Sequence, residues 1–401
     1  MNNKLYTISK LFLDNGLAQL IQNIKILLYK QDENIFEILD FENDKIYIEP
    51  LLFAYFNNFE TNKQKLESVV FGYSQKTIHI ELVSDENGII YLPNVGWFKT
   101  NLKNEKFDFD KLSFKLLQDK KIIDFEFEKL EFITDTKIEV IKYPIPLLKK
   151  FYFNTENEIL NVEIESVTRE NLKSITKAYQ LIKQYIPTQF ELIERYAPKC
   201  VIFNIDTYLR NSFATLSAQG IGFYNAYQDD YDEVFFLDDI AHQTGHVIFN
   251  VMIYESKLFF KTDKNTILEV INMPDGSFIE NRDLHVVFHA LYTYYASFIC
   301  LDACLESKAL IGRQKHEALG RISFYINKCY RDLLLIDNPI NSEIKSSEYF
   351  TEMGLQIYSE LKNKWKEMYR KWFEVTKHYD MSNQPYNFTY SNFAELNPLK
   401  N

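Results

Sequence analysis

Cysteine, glycine, proline and histidine are all scarce in this chain of 401 residues. The four cysteines, Cys200, Cys300, Cys304 and Cys329, form no CxxC pair. That spacing argues against a disulfide framework and against a cysteine-based zinc ribbon, and it fits a reduced, cytoplasmic protein. Cys300 and Cys304 stand at helical spacing and read as small core residues. With only 11 Gly and 10 Pro, long flexible linkers are not expected. No stretch of 18 consecutive apolar residues occurs, so no transmembrane helix is expected. The N-terminus shows no charged leader followed by an apolar run and a small-residue cleavage site, so no signal peptide is read. The formal net charge is −11, and no dense Lys/Arg run is present. This argues against binding to a nucleic-acid backbone and describes an acidic, well-solvated surface. Neither a nucleic-acid nor a membrane partner is expected.

Aromatic residues, by contrast, are abundant, with 33 Phe and 27 Tyr. In the first 150 residues several runs are rich in β-branched and aromatic side chains: 76–83, 88–93, 121–133 and 137–145. Several alternate apolar with polar, the period of a half-buried strand. Helical pieces are expected near 14–30 and 48–69. Two prolines in 142–150 mark a boundary. The reading is therefore α+β, with a mixed domain at 1–150 followed by a mainly helical, zincin-like domain at 151–401. In that second region, 168–196 reads as helix, and 200–208 and a run near 213–224 read as strands. Helices follow at 235–254, 284–309, 313–336 and 344–378, and the tail from Tyr379 reads as irregular.

Four of the chain's seven histidines fall into two His-x-x-x-His pairs, His242/His246 and His285/His289. Residues four apart on a helix lie one above the other, so each pair can aim two imidazoles at one point. The first pair, in AHQTGH, has the spacing of the zincin HExxH motif. Gln243 stands where the catalytic glutamate would be. An amide has no useful basicity, although it can hydrogen-bond, so the standard metal-water route to peptide hydrolysis is not expected. A metal that activates dioxygen does not need that glutamate. Non-haem Fe(II) oxygenases require a facial set of three ligands with open positions, and His242, His246 and one downstream residue can supply one. The competing reading is that these are core or interhelical hydrogen-bonding histidines.

The block from about 200 to 305 resembles the HExxH-motif peptide-modification proteins of ribosomally made, post-translationally modified peptides. A strand-like region, SFATLSAQGIGFYNAY, precedes HQTGH. An Arg followed seven positions later by a His, Arg282 and His289, then lies in RDLHVVFHALYTYY. The family often shows Arg-Pro where this chain has Arg282-Asp283. The resemblance implies an Fe(II)/2-oxoglutarate-dependent peptide β-hydroxylase, with a peptide substrate that carries a leader segment. It implies His242, His246 and His289 as metal ligands and Arg282 as the holder of the 2-oxoglutarate carboxylate, with Arg321 a weaker alternative. His285 is given a supporting or substrate-side catalytic role, and a ligand exchange with His289 stays open. Gln243 occupies the catalytic position of the motif. Other readings are a metal-dependent hydrolase with a displaced base and a non-catalytic zincin-like binding partner.

Overall fold

A computed structural model of the chain describes residues 4–58, 65–74, 76, 79–229, 231–272, 279–337 and 346–399. The architecture is α+β, with several small sheets and a helical C-terminal part. The chain divides into two compact units, one made of Leu17–Asn171 with Ala197–Tyr227, the other of Met1–Gly16, Leu172–Tyr196 and Gln228–Asn401.

Helix α1 (Lys4–Gln31) runs across the first division point. In the sheet-bearing unit, short helices follow: α2 (Ile35–Ile38), α3 (Asp44–Tyr47), α4 (Pro50–Phe56) and α5 (Leu66–Val70). The stretch read as helical from 48 to 69 is thus two helices, and residues 59–64 between them lie outside the described residues. Nine strands come next. They are β1 (His79–Val83), β2 (Ile89–Leu92), β3 (Gly96–Lys99), β4 (Lys106–Asp110), β5 (Lys115–Gln118), β6 (Lys121–Ile123), β7 (Glu126–Lys129), β8 (Glu131–Phe132) and β9 (Glu139–Ile141). Strands β1, β4, β5 and β6 form an antiparallel sheet in that order, and β2, β3 and β7 form another. Alternation decides what is buried. In β1 Ile80 and Leu82 point inward, opposite Phe109 and Phe107 of β4, and these residues join Phe71 and Phe98 in one core.

After α6 (Pro146–Lys149), α7 (Glu165–Tyr185) and α8 (Pro187–Tyr196), the chain adds β10 (Lys199–Phe203) and β11 (Ile221–Asn225). Strand β10 pairs in parallel with both β9 and β11, and every residue of β10 and β11 is buried. Such strands read as unbroken apolar runs because both faces are covered. A break at residue 150 therefore does not match the observed division: β10 and β11 complete the sheet that β8 and β9 begin. The run near 213–224 is a strand only from Ile221, with Phe213 bridging Phe223 and a 3-10 turn at Leu216–Ala218 between them. A buried charge network ties this unit together. The Lys199 ammonium lies 2.5 Å from Glu139 and 3.3 Å from Glu49, while Tyr91 and Tyr73 donate to these two carboxylates at 2.6 Å each. Charges this deep persist only when paired and hydrogen-bonded.

The helical unit is built on α9 (Glu233–Met252) and α10 (Leu284–Glu306). Asp232 and Asp283 cap their N-termini, each accepting a backbone N–H at 2.8 Å. Between them a hairpin, β12 (Ile267–Asn272) with β13 (Ile279–Asp283), runs straight into α10. The sequence reading missed this hairpin, and with it the placement of Arg282 on a strand. Helix α10 packs against α9, α11 (Gly312–Ile336) and α13 (Glu352–Thr376). By length and composition α10 could cross a membrane, but most of it is buried within the structure, which accounts for its apolarity. The helix read at 344–378 is split into α12 (Ser346–Tyr349) and α13, with Thr351 capping the second through a bond from the Gly354 N–H. The tail read as irregular contains a further helix, α14 (Tyr390–Leu396), packed on α11. All four cysteines are buried, and none forms a disulfide.

Candidate functional site

Both His-x-x-x-His pairs lie on helices, His242/His246 on α9 and His285/His289 on α10. The two helices approach closely at Gly245. A Cβ placed there would meet the Ala296 methyl and the Thr293 backbone at 3.4 Å, so the crossing has room for a hydrogen or a methyl and little more. Next to Gly245, His246 faces His289, one turn before Thr293, with His246 Nδ1 and His289 Nε2 2.8 Å apart in a hydrogen bond. The His242 and His246 rings are centred 5.0 Å apart, and the His246 and His289 rings 4.4 Å. His246 thus stands between His242, one turn before it on α9, and His289 of α10. His285 stands a turn further out, its ring 5.6 Å from that of His289.

Aromatic side chains enclose these rings. Phe249 stacks on His289 at 4.6 Å, and Tyr325 of α11 lies nearly parallel to His242 at 6.1 Å. The Tyr325 hydroxyl donates to Asp238 Oδ2 at 3.0 Å, and Arg321 donates to the same oxygen at 2.8 Å. Burial, with help from Lys328 and His289, pushes the His242 imidazole down to about 3. His246 and His289 are held well below the usual imidazole range, by burial first and by neighbouring imidazoles second. Burial lowers His285 as well, with Lys264 adding and Asp283 opposing. All four rings are therefore neutral near pH 7, the form that ligates metals.

Among the described residues, no group of three or more His, Cys, Asp or Glu side chains stands ready to hold a metal ion. The donor set suits one in its chemistry, though not in its present arrangement. It comprises three neutral imidazoles, and His242 Nδ1 is buried without a hydrogen-bond partner. Two ligands about 2.0–2.1 Å from a shared metal lie roughly 2.9–3.4 Å apart in tetrahedral or octahedral geometry, close to the His246–His289 separation. A metal here would replace that hydrogen bond.

The remaining expected roles fare differently. Gln243 is buried, and its amide nitrogen donates to Asp239 on its own helix at 3.1 Å. Arg282 is not presented to a small carboxylate. Its two terminal nitrogens grip Asp332 of α11 at 2.8 Å each, and one of them also contacts Glu269 across the hairpin at 3.0 Å. Asp283, which follows Arg282 where the family often has Pro, caps α10. Arg321 is equally committed, to Glu317 and Asp238. A cosubstrate carboxylate does not fit either arginine as arranged. Tyr325, Asp238 and Asp332 were missed by sequence reasoning. One signal was available: Arg321, Tyr325, Lys328 and Asp332 recur at helical spacing, a polar stripe on a helix that elsewhere buries its apolar side. Compared with models of known protein families and with characterised proteins, the chain matches none.

Proposed function

We propose that the helical unit is a metal-dependent oxygenase of zincin-like build, in which His242, His246 and His289 hold Fe(II). On this reading 2-oxoglutarate is the cosubstrate, and a side-chain β-carbon of a ribosomally made peptide is hydroxylated in the cytoplasm. The observation that supports it is the row of three neutral, half-buried imidazoles from two helices, with His246 neighbouring both His242 and His289, beside a motif position occupied by Gln243. Bound there, Fe(II) would supply oxygen activation, chemistry that requires no carboxylate base at residue 243. The chain's own part is to keep the three rings unprotonated, to orient His242 against Tyr325 and to limit water through Phe249, Tyr294 and Tyr325. The cosubstrate enters through the resemblance of HQTGH and RDLHVVFH to the peptide-modification family. Arg282 would have to release Asp332 to bind it.

A second reading is favoured by the direct His246–His289 bond and by the engagement of both arginines: a non-catalytic zincin-like partner protein in which the histidines join two helices. Elemental analysis of protein purified without chelators, followed by anaerobic titration with Fe(II) and then 2-oxoglutarate, separates the two. The oxygenase reading expects one metal per chain, a charge-transfer band on adding 2-oxoglutarate, and succinate formation in air. A protein that takes up no divalent metal supports the second reading. Peptide hydrolysis abolished by His242→Ala would replace both with a hydrolase that uses a displaced base.

A further inference from the structure

The second half of α13 has a charge opposite to that of the chain as a whole. The protein carries a formal net charge of −11, yet Lys362, Lys364, Lys366, Arg370 and Lys371 crowd onto this part of the helix. Three of the five are neutralised by carboxylates. Lys362 pairs with Asp337 at 2.8 Å, Lys364 with Glu367 at 2.7 Å, and Lys371 with Asp302 at 2.6 Å and Glu306 at 3.1 Å. Among the described residues, Lys366 and Arg370 have no acidic partner, and both are exposed. They line an open groove of about 530 Å³ with Asn363, Glu367 and Lys371.

Beside them runs a ladder of stacked rings. Tyr330 lies on Trp365 at 5.5 Å, Trp365 on Tyr369 at 5.5 Å, and Tyr369 on Phe373 at 4.6 Å. The Trp365 indole donates to the Ile326 carbonyl at 2.9 Å and the Trp372 indole to Asp302 at 2.8 Å, which fixes the helix against its neighbours. Tyr369 stays 38% exposed at the edge of the charged stripe. The face is thus rigid, aromatic along one side and cationic along the other.

We propose that this face docks an extended acidic peptide segment bearing two carboxylate side chains two residues apart. The spacing supports the match. Lys366 and Arg370 are one turn apart, a rise of about 6 Å, and side chains i and i+2 of an extended chain repeat at about 6.6 Å on one face. The Arg370 guanidinium offers a planar fork for one carboxylate, and Lys366 a point charge for the other. Apolar contact with the ladder gives those pairs a partly desolvated setting, where charge pairing is stronger than in open water. A polyanion such as a nucleic acid, or an anionic lipid surface, is disfavoured. It would bring many charges within a Debye length, about 8–10 Å, of an acidic molecule, whereas two carboxylates meet only the local cations. The proposal is independent of the histidine site.

Fluorescence anisotropy with the full-length protein tests it. The probe is a fluorescein-labelled peptide built on Gly-Asp-Leu-Asp-Gly, with Gly-Asp-Asp-Leu-Gly as the spacing control. The expected result is saturable, salt-sensitive binding of the first peptide, at least tenfold tighter than the control. Binding falls at least tenfold in the Lys366→Glu/Arg370→Glu double variant, whose melting temperature stays at the parent's because both side chains are exposed. The double variant binds Gly-Lys-Leu-Lys-Gly, which the parent does not. Equal binding of the two acidic peptides overturns the proposal, as does unchanged affinity in the double variant. Absence of saturable binding also overturns it, and so does tighter binding to oligothymidylate or to phosphatidylserine vesicles at the same salt.

Discussion

Arg282 and Asp332, fifty residues apart in sequence, form a two-pronged ion pair, with both oxygens of Asp332 2.8 Å from a guanidinium nitrogen. The pair ties the hairpin strand that enters α10 to the far end of α11. An arginine at this point in the sequence looks available to a cosubstrate because its partner lies on an element that local reading cannot place. The Asp332 side chain is only 4% exposed and that of Arg282 13%, so removing either partner leaves a charge largely cut off from water. Asp332→Ala and Arg282→Ala are each expected to destabilise the protein by about 3–5 kcal/mol. Denaturant unfolding checks this, and a double-mutant cycle should show strong coupling. Arg282→Lys losing 2-oxoglutarate affinity at unchanged stability would restore the cosubstrate role.

Metal uptake is expected to depend on three histidines and not on the fourth. His242→Ala, His246→Ala and His289→Ala should each abolish stoichiometric binding of a divalent metal, because two imidazoles do not complete a facial set. His285→Ala should retain it, since its ring stands a turn beyond His289 on α10, on the side away from His242. Elemental analysis of the four variants decides the matter. Full occupancy in His289→Ala together with loss in His285→Ala would exchange their roles.

The helix crossing at Gly245 sets the histidine geometry. With Ala296 and Thr293 at contact distance from an added Cβ, Gly245→Ala should be accommodated, and its better helix propensity offers up to about 1 kcal/mol. Gly245→Leu should cost about 1–3 kcal/mol by overpacking and force α9 from α10. Metal occupancy should then fall with stability in the leucine variant and stay at the parent level in the alanine variant. An alanine variant that folds but binds no metal would show that the crossing does not admit a methyl at 3.4 Å from Ala296 and Thr293.

Acid sensitivity in the sheet-bearing unit should centre on Glu128. Burial pushes this carboxyl up, but hydrogen bonds from Lys142, Lys99 and Tyr143 outweigh it and hold the group at about 2. A carboxyl depressed in the folded state is stabilising above its ordinary value near 4.5, and that contribution is lost as pH falls from there toward 2. A tenfold change in proton affinity corresponds to about 1.4 kcal/mol, so the contribution is of the order of 2–3 kcal/mol once solvent screening is allowed for. Melting temperature followed from pH 7 to pH 3 should fall less steeply in Glu128→Gln, which starts from a lower value at pH 7. Parallel curves would assign the acid response to other groups.

Local periodicity was readable without the fold. The alternation in HIELV and the four-residue spacing of the histidines are set by backbone geometry, with a repeat of two in a strand and 3.6 in a helix. The strands near 79 and 139 and helices α9, α10 and α11 therefore follow from the sequence alone, and so does the convergence of His242 with His246 on one helical face. Partner choice across the chain was not readable. The meeting of His246 with His289, of Tyr325 with His242 and of Arg282 with Asp332 depends on how α9, α10 and α11 pack, and packing selects among many locally equivalent surfaces. The hairpin of β12 and β13 was missed because ILEVIN shows no strict apolar–polar alternation and IENRD is almost wholly polar, so neither carries the period of a strand. The break at residue 150 misled because β9 at 139–141 finds its parallel partner at 199–201, and sheet pairing over that distance leaves no mark in the intervening sequence.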